Sequence, residues 1–189
     1  MVEQLDEVTI RIATEGDAAG IARVHVRSWQ EAYAGIVPDV YLASLDADER
    51  TAQWRRYLRE GPGEDIHTWV ALSGDRVVGF ITVGPSRDED ARRGDREIFS
   101  IYLDPGTWGH GVARDLMRTV IADVGDKTTV TLWVLADNER ARHFYRRHGF
   151  QADGIDRYDD IGGASSSRSG TAGTEPHPPK WSHPTRRCG

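Results

Sequence analysis

The chain has 189 residues, of which 38% are hydrophobic and 29% are charged, and its formal net charge is −6 at pH 7. This size and balance are typical of one globular domain with its own core, and no apolar run approaches the length of a membrane span. The acidic balance excludes binding to nucleic acid through an overall positive field and favours a cationic substrate such as an amine. Cys188 is the only cysteine, so no internal disulfide can form, and the first nine residues carry no secretion signal. We therefore expect a cytoplasmic protein.

The first half of the chain alternates between helical and strand patterns. Ile21, Val24 and Trp29 recur near helical spacing before Pro38, which cannot continue a helix. The segment Ser73–Asp75 separates two apolar runs and is typical of a hairpin turn. The predicted elements are a strand at residues 9–12, helices at 17–33, 38–45 and 48–58, and strands at 66–72 and 77–83.

The second half repeats this mixture and ends in a helix with a glycine stop. Val112, Leu116 and Val120 lie one turn apart, which predicts an amphipathic helix, and Gly149 follows the last apolar helical face. The predicted elements are a strand at 97–103, a helix at 108–124, a strand at 130–135 and a helix at 138–148. The whole pattern predicts one α/β domain.

A turn rich in small residues lies where the strand at 97–103 gives way to a helix. Gly109, Gly111 and Ala113 leave the backbone N–H groups open to a ligand, and a helix N-terminus adds free donors and a positive dipole end. Such a turn can hold a pyrophosphate. Packing alone explains the glycines equally well, and neither a Walker loop nor a dinucleotide-binding glycine pattern is present.

A second motif decides between these interpretations. Residues 138–150 contain Asn138, Ala141, Phe144-Tyr145 and Gly149-Phe150, and with residues 108–113 they resemble the GNAT superfamily of N-acetyltransferases. That family's pyrophosphate motif is Arg/Gln-x-x-Gly-x-Gly/Ala, which this chain meets at Gly111 and Ala113. Trp108 departs from the first position and removes a cation near the phosphates. The resemblance covers roughly residues 8–160.

The resemblance implies a fold and a co-substrate. The fold is the GNAT acyl-CoA N-acyltransferase fold, a mixed and mostly antiparallel twisted sheet, flanked by helices, whose strands splay at the cofactor site. Acetyl-CoA lies between the strands at 97–103 and 130–135, with no metal. Its pantetheine arm pairs with the strand backbone, the helix N-terminus holds its pyrophosphate, and an amide side chain lies near its sulfur. The residues implied are Ile101, Tyr102 and Leu103 for the arm, Gly109, His110, Gly111, Val112, Ala113 and Arg114 for the pyrophosphate, and Asn138 for the amide.

The resemblance also implies direct attack of an amine on the thioester. Alkylammonium groups have a pKa near ~10.4 and must lose a proton before they attack. Glu97 on the entering strand is the candidate base, although it can equally be a solvated strand-end acid. Tyr145 is the candidate acid that protonates the leaving thiolate, and the alternative is a core tyrosine beside Phe144.

The acceptor is expected to be a small amine or a peptide amine, and neither nucleic acid nor a membrane is an expected partner. Trp29 and Tyr33 are candidate substrate-binding residues because aromatic faces can hold a cation. Each can instead serve only to pack its helix on the sheet. Dimers are common among proteins that resemble this one, so a homodimer is possible, and the sequence does not settle the oligomeric state.

The composition changes after residue 160. Residues 161–189 form a Gly-, Ser- and Pro-rich tail that is atypical of the family and predicts disorder, so the domain is expected to span residues 1–160. No final strand is legible there, so the segment Phe150–Asp153 is expected to keep an unpaired edge. One hypothesis is a shifted reading frame, because residues 166–173 can be encoded so that another frame reads VVEVRYRR. A chain without the last strand leaves an alternative open: a non-catalytic acyl-CoA-binding or regulatory module.

Overall fold

The computed structural model describes residues 7–61, 63, 65–125 and 127–153, and further along the short strands at 158–159, 175–176 and 180–183. The helices are α1 (Ala18–Ala32), α2 (Asp39–Ser44), α3 (Ala47–Glu60), α4 (Val112–Val124) and α5 (Glu139–Arg147). The strands are β1 (Val8–Ile12), β2 (His67–Ser73), β3 (Arg76–Pro85), β4 (Arg96–Leu103), β5 (Val130–Trp133), β6 (Gln151–Ala152), β7 (Tyr158–Asp159), β8 (Glu175–Pro176) and β9 (Lys180–His183). The predicted α/β class and the order of elements up to residue 152 are confirmed.

The main sheet runs in the order β1-β2-β3-β4-β5-β9-β6, and β7 pairs with β8 separately. Only the β4–β5 pair of the main sheet is parallel. That pair is short, because β4 and β5 are in register only from Arg96↔Val130 to Ile98↔Leu132. Beyond Ile98 the two strands separate, which confirms the expected splay and leaves the β5-facing edge of β4 open.

Apolar side chains cover both faces of the sheet. One cluster packs α4 and α5 against the sheet, with Leu116, Val120 and Phe150 almost fully buried. The other cluster packs α1 and α3 against the opposite face, around Ile21 and Phe80. The strands therefore read as nearly continuous apolar runs where helices cover both sides.

Helix α4 begins four residues later than the sequence predicts. Gly109 and Gly111 each adopt φ +85°, a left-handed conformation that interrupts helical geometry, and Gly111 is the N-cap of α4. Residues 108–111 are therefore a turn, and the first helical residue is Val112. Apolar spacing marks the buried face of a helix, but it does not encode the left-handed N-cap residue that fixes where the helix starts.

The prediction that no strand follows residue 160 is wrong. Strand β9 lies between β5 and β6, with Leu132↔Trp181 on one side and Ala152↔Trp181 on the other, so the edge of β6 that faces β9 is paired, and β6 is the last strand of the sheet. Four residues beside prolines are too few to show strand alternation in the sequence. The proposed domain limit at residue 160, the predicted disorder of the tail and the reading-frame hypothesis for residues 166–173 concern positions that mostly lie outside the described residues, and they stay predictions.

Candidate active site

A cavity of about 450 Å³ opens where β4 and β5 part. Its walls come from β4 beyond the splay, the turn before α4, the end of β5, helix α5 and one side of α1. The predicted arm-binding residues Ile101, Tyr102 and Leu103 all line it, on the edge of β4 that β5 no longer covers. An extended ligand arm can therefore pair with β4 as an added strand.

The N-terminus of α4 forms one end of this cavity. Gly109, Gly111, Val112, Ala113 and Arg114 line the cavity, and no side chain caps the helix among the described residues. The first N–H groups of a helix have no intrahelical acceptor, so these donors and the helix dipole can hold an anion. Of the six residues predicted to hold the pyrophosphate, all except His110 line the cavity.

The turn that precedes α4 is anchored to α1 by a buried carboxylate. Asp104 is 3% exposed, and it accepts hydrogen bonds from Arg27 Nη1 at 2.7 Å and from the Gly106 N–H at 3.0 Å. Thr107 Oγ1 donates to the Asp104 carbonyl at 2.8 Å. These bonds fix the backbone from which the following glycines present their N–H groups.

Helix α5 closes the other side of the cavity. Asn138 is its N-cap, with Oδ1 accepting from the Ala141 N–H at 3.0 Å, so the side chain is held in one orientation at the cavity wall. Arg140 lies in the first turn of the helix, and its guanidinium sits 3.5 Å from the ring centroid of Trp108. Burial lowers the pKa of Arg140 and Glu31 partly offsets that shift, yet an arginine stays charged at any physiological pH.

Tyr145 places a phenol in the interior of the same cavity. It is 7% exposed and lies between Phe144 and Phe150, whose ring centroids are 5.4 and 6.0 Å away. Burial raises the pKa of Tyr145 above its ordinary value of 10.0, and the neighbouring Tyr102 adds to the shift. The group is therefore protonated and can act only as a proton donor near neutral pH.

The sequence profile of the Acetyltransferase (GNAT) family matches residues 26–150, which include strands β4 and β5 and helices α4 and α5. The chain belongs to this GNAT family. The expected class of enzyme, an N-acetyltransferase, is thereby confirmed, and so is the predicted GNAT fold.

Similar proteins carry related names. An uncharacterised N-acetyltransferase of Mycobacterium tuberculosis is 33% identical over 141 residues, which are 73% of this chain and 85% of that protein. The L-amino acid N-acetyltransferase AaaT of Escherichia coli is 29% identical over 154 residues, 79% of this chain and 86% of that protein. In fold, the chain is similar to the PaiA N-acetyltransferase of Thermoplasma acidophilum, solved in complex with coenzyme A, with a TM-score of 0.66, 18% identity, and coverage of 94% of this chain and 98% of that one.

Glu97, the predicted base, does not reach the GNAT cavity. It is 1% exposed, and its carboxylate accepts hydrogen bonds from the Arg87 backbone N–H at 3.0 Å and from Arg87 Nη2 at 2.6 Å. Glu97 also pairs with Thr131 in the sheet, so it lies before the point where the strands part. The structure brings it to Arg87, whereas a base must reach the reacting amine directly or through one water.

The two predicted substrate-binding residues differ in position. Tyr33 lines the cavity, and burial, followed by the neighbouring Tyr102, raises its pKa well above 10.0. Trp29 lies behind it, with ring centroids 4.9 Å apart in a T-shaped contact. Trp29 therefore supports the cavity wall rather than forming it.

Arg140 and the Arg27–Asp104 pair were not predicted from the sequence. Arg140 restores, from helix α5, the cation that Trp108 removes from the motif, and only the fold brings positions 108 and 140 together. Arg27 and Asp104 are separated by 77 positions and carry no local signal. Within the described ranges, no three His, Cys, Asp or Glu side chains group as metal ligands would, and no helix is both long and apolar enough to cross a bilayer.

Proposed function

We propose that this GNAT protein transfers the acetyl group of acetyl-CoA to an amine. One observation carries the proposal: a single cavity joins the uncapped N-terminus of α4 to the buried phenol of Tyr145 between the parted strands. Acetyl-CoA needs an anion site for its pyrophosphate, a strand edge for its amide-bearing arm and a proton donor for its sulfur. The residues that line the cavity offer all three.

The pyrophosphate binds at the N–H groups of residues 111–114, and Arg140 adds a positive charge from the opposite wall. The arm pairs with the backbone of Ile101–Leu103 on the open edge of β4. The NH₂ group of Asn138 donates to the arm near its sulfur, because its Oδ1 is already used to cap α5. These three contacts hold the pyrophosphate, the arm and the region near the sulfur of acetyl-CoA, and none of them involves a metal.

The reaction is a direct transfer. The nitrogen lone pair of a neutral amine attacks the thioester carbon, the carbon–sulfur bond breaks, and the electron pair of that bond leaves with the sulfur. Tyr145 gives its proton to the departing thiolate, because a tyrosine phenol is protonated at neutral pH and lines the cavity. The proton lost by the amine nitrogen restores the phenol through solvent.

A non-catalytic acyl-CoA-binding module is the second candidate, and it was favoured by a missing final strand. The pairing of β9 with β5 and β6 weakens that argument, since the sheet beside the site continues. The two candidates share the cofactor site and differ only in turnover.

An assay of thiol release separates them. Purified protein is incubated with acetyl-CoA and a panel of amines, and free thiol is followed with a colour reagent, while the rise in melting temperature with coenzyme A reports binding. Amine-dependent thiol release supports the transferase. A rise in melting temperature with no release for any amine supports the module, and no binding of coenzyme A contradicts both.

A further inference from the structure

A second cavity, of about 490 Å³, lies between α1, α3 and the sheet. Trp54 and Tyr57 of α3 supply aromatic walls, Phe99 and Ser100 of β4 form its floor, and His25 of α1 lines it from the side. The ring of Trp54 meets that of Tyr57 edge-on, with centroids 5.3 Å apart. This cavity is therefore walled mainly by flat apolar surfaces.

The two cavities meet at a bulge in β4. Thr82 pairs with Ser100 whereas Val83 pairs with Ile98, so Phe99 is the extra residue of a β-bulge. Phe99 and Ser100 line both cavities, one on each side of the parted strands. The two cavities are therefore adjacent at Phe99–Ser100, just past Ile98, where the pairing of β4 with β5 ends.

A positive charge marks the rim of this second cavity. Arg50 lines it and donates a hydrogen bond to Gln53 at 3.0 Å, and no carboxylate among the described residues forms an ion pair with Arg50. Its neighbour on the rim, Arg56, lies 3.9 Å from Glu60. Arg50 is thus the cation that remains available to an anionic ligand group.

The side of the second cavity carries an unsatisfied polar atom. His25 Nδ1 is buried and has no hydrogen-bond partner within the described part of the chain. The imidazole stacks on Tyr102, with centroids 5.1 Å apart and an interplanar angle of 15°. A buried polar atom without a partner costs free energy, so His25 is held there by its ring contacts rather than by a hydrogen bond at Nδ1.

We propose that this second cavity binds the acceptor, and that the acceptor is a small amine with a free carboxylate and an apolar side chain, as in an apolar amino acid. The inference rests on the proposed acetyl transfer and specifies its acceptor. The carboxylate pairs with Arg50, the side chain packs against the aromatic surface of Trp54 and Tyr57, and the amine faces the bulge at Phe99–Ser100. The nearby guanidinium also favours the neutral form of the amine, which is the form that attacks.

The test compares two amines that differ in the carboxylate. L-Phenylalanine and phenethylamine share the ring and the primary amine, and only the first carries a carboxylate. We expect kcat/KM with L-phenylalanine to exceed that with phenethylamine by about tenfold or more, because a charge-assisted hydrogen bond is lost with the carboxylate. Arg50→Ala should reduce this ratio to near ~1, mainly through the KM for L-phenylalanine, and Arg50→Lys should restore part of it.

Arg55→Ala is the matched control, because Arg55 is an exposed arginine on the same helix that lines neither cavity. Equal ratios in the wild type, Arg50→Ala and Arg55→Ala would overturn the proposed acceptor class while leaving acetyl transfer intact. If no amine is acetylated although coenzyme A binds, the transferase proposal fails instead. Calorimetric binding of L-phenylalanine, weaker in Arg50→Ala than in Arg55→Ala, would then still support the cavity, and equal binding would reject it.

Discussion

Tyr145 is the residue on which the proposed chemistry depends most. Its hydroxyl is the only feature that Tyr145→Phe removes, because the ring stays packed between Phe144 and Phe150. We expect kcat to fall by about 10²-fold, within the range of general acid catalysis, with the KM for acetyl-CoA changed by less than about threefold. Steady-state kinetics measure both.

Tyr41→Phe is the control for this variant, since Tyr41 lines neither cavity. The same loss of kcat in both variants, or an undiminished rate in Tyr145→Phe, would remove Tyr145 from the mechanism. Burial raises the pKa of Tyr145 above its ordinary value of 10.0. In the wild type, loss of the phenol proton should therefore not limit the rate at any pH below 10.0.

Arg140 belongs to the binding of the co-substrate. Its guanidinium over Trp108 lies beside the anion site, so Arg140→Ala should raise the KM for acetyl-CoA by about tenfold and leave kcat nearly unchanged. Arg118→Ala removes an exposed arginine of α4 that does not line the cavity, and it should have no such effect. An equal KM for the two variants would show that Arg140 only packs on Trp108.

His25 links burial to a dependence of stability on pH. Burial, and secondarily the charge of Arg50, lower its pKa from 6.5 to about 4. In the unfolded chain, His25 becomes protonated as the pH falls below 6.5, whereas in the folded chain it stays neutral until about pH 4. The free energy of unfolding therefore decreases as the pH falls from 6.5 to about 4. Between about pH 7.5 and about pH 4.5, linkage gives a loss of about 2–3 kcal/mol from this group alone.

Urea unfolding at the two pH values measures that loss. The decrease in the free energy of unfolding should be smaller by about 2 kcal/mol in His25→Phe, which keeps a ring but cannot titrate, than in the wild type. His143→Gln, at an exposed position, should behave as the wild type does. Equal pH dependence in all three proteins would mean that His25 is not held neutral by the fold.

Among elements, the start of α4 shows how far the sequence reaches. The alternation of glycines predicted an anion site. In the structure, Gly109 and Gly111 both adopt φ +85° in the turn at residues 108–111, which lies directly before α4. The exact first residue of the helix was predicted too early, because propensity and spacing do not encode a single left-handed residue at an N-cap. The first residue of a helix depends on the backbone angles of the residue before it, and many different sequences can adopt those angles.

Gly111→Ala tests whether that geometry serves a ligand. A side chain at φ +85° costs about 1–2 kcal/mol of stability, and a Cβ at Gly111 would lie 3.0 Å from the Arg114 guanidinium. Gly125→Ala at the other end of α4 has nearly the same φ, +83°, with no atom within 4 Å of its Cβ. Both variants should lower the melting temperature, and only Gly111→Ala should weaken coenzyme A binding, by about tenfold in calorimetry. Equal affinity in the two variants would reject the cradle.

The strands show the opposite limit. β4 was recognised from its apolar alternation, yet the bulge at Phe99 and the early end of its pairing with β5 were not, because both arise from contacts with neighbouring strands. The same cause explains Glu97. It lies on a strand that enters the site, as predicted, but on the part that is still paired, where Arg87 covers it.

In the whole molecule, the splay of one sheet organises both cavities. The motifs at 108–113 and 138–150 predicted the family, the anion site at the start of α4, and Asn138 and Tyr145 on α5. These residues could be predicted because the motifs belong to the family as a whole. Arg140, Arg27 and the cavity beside Arg50 depend on contacts between distant positions, so no local pattern could predict them. Strand β9 was missed because four residues carry too little periodicity.

Transfer of the acetyl group from acetyl-CoA to an amine nitrogen is the step on which the proposed function depends. Mass spectrometry of the amine after incubation with protein and acetyl-CoA tests it directly, with the free coenzyme A measured in the same sample. We expect an N-acetylated amine in an amount equal to the coenzyme A released, and much less of both with Tyr145→Phe. Release of coenzyme A without an acetylated amine, or no change in either compound across the amine panel, would contradict it.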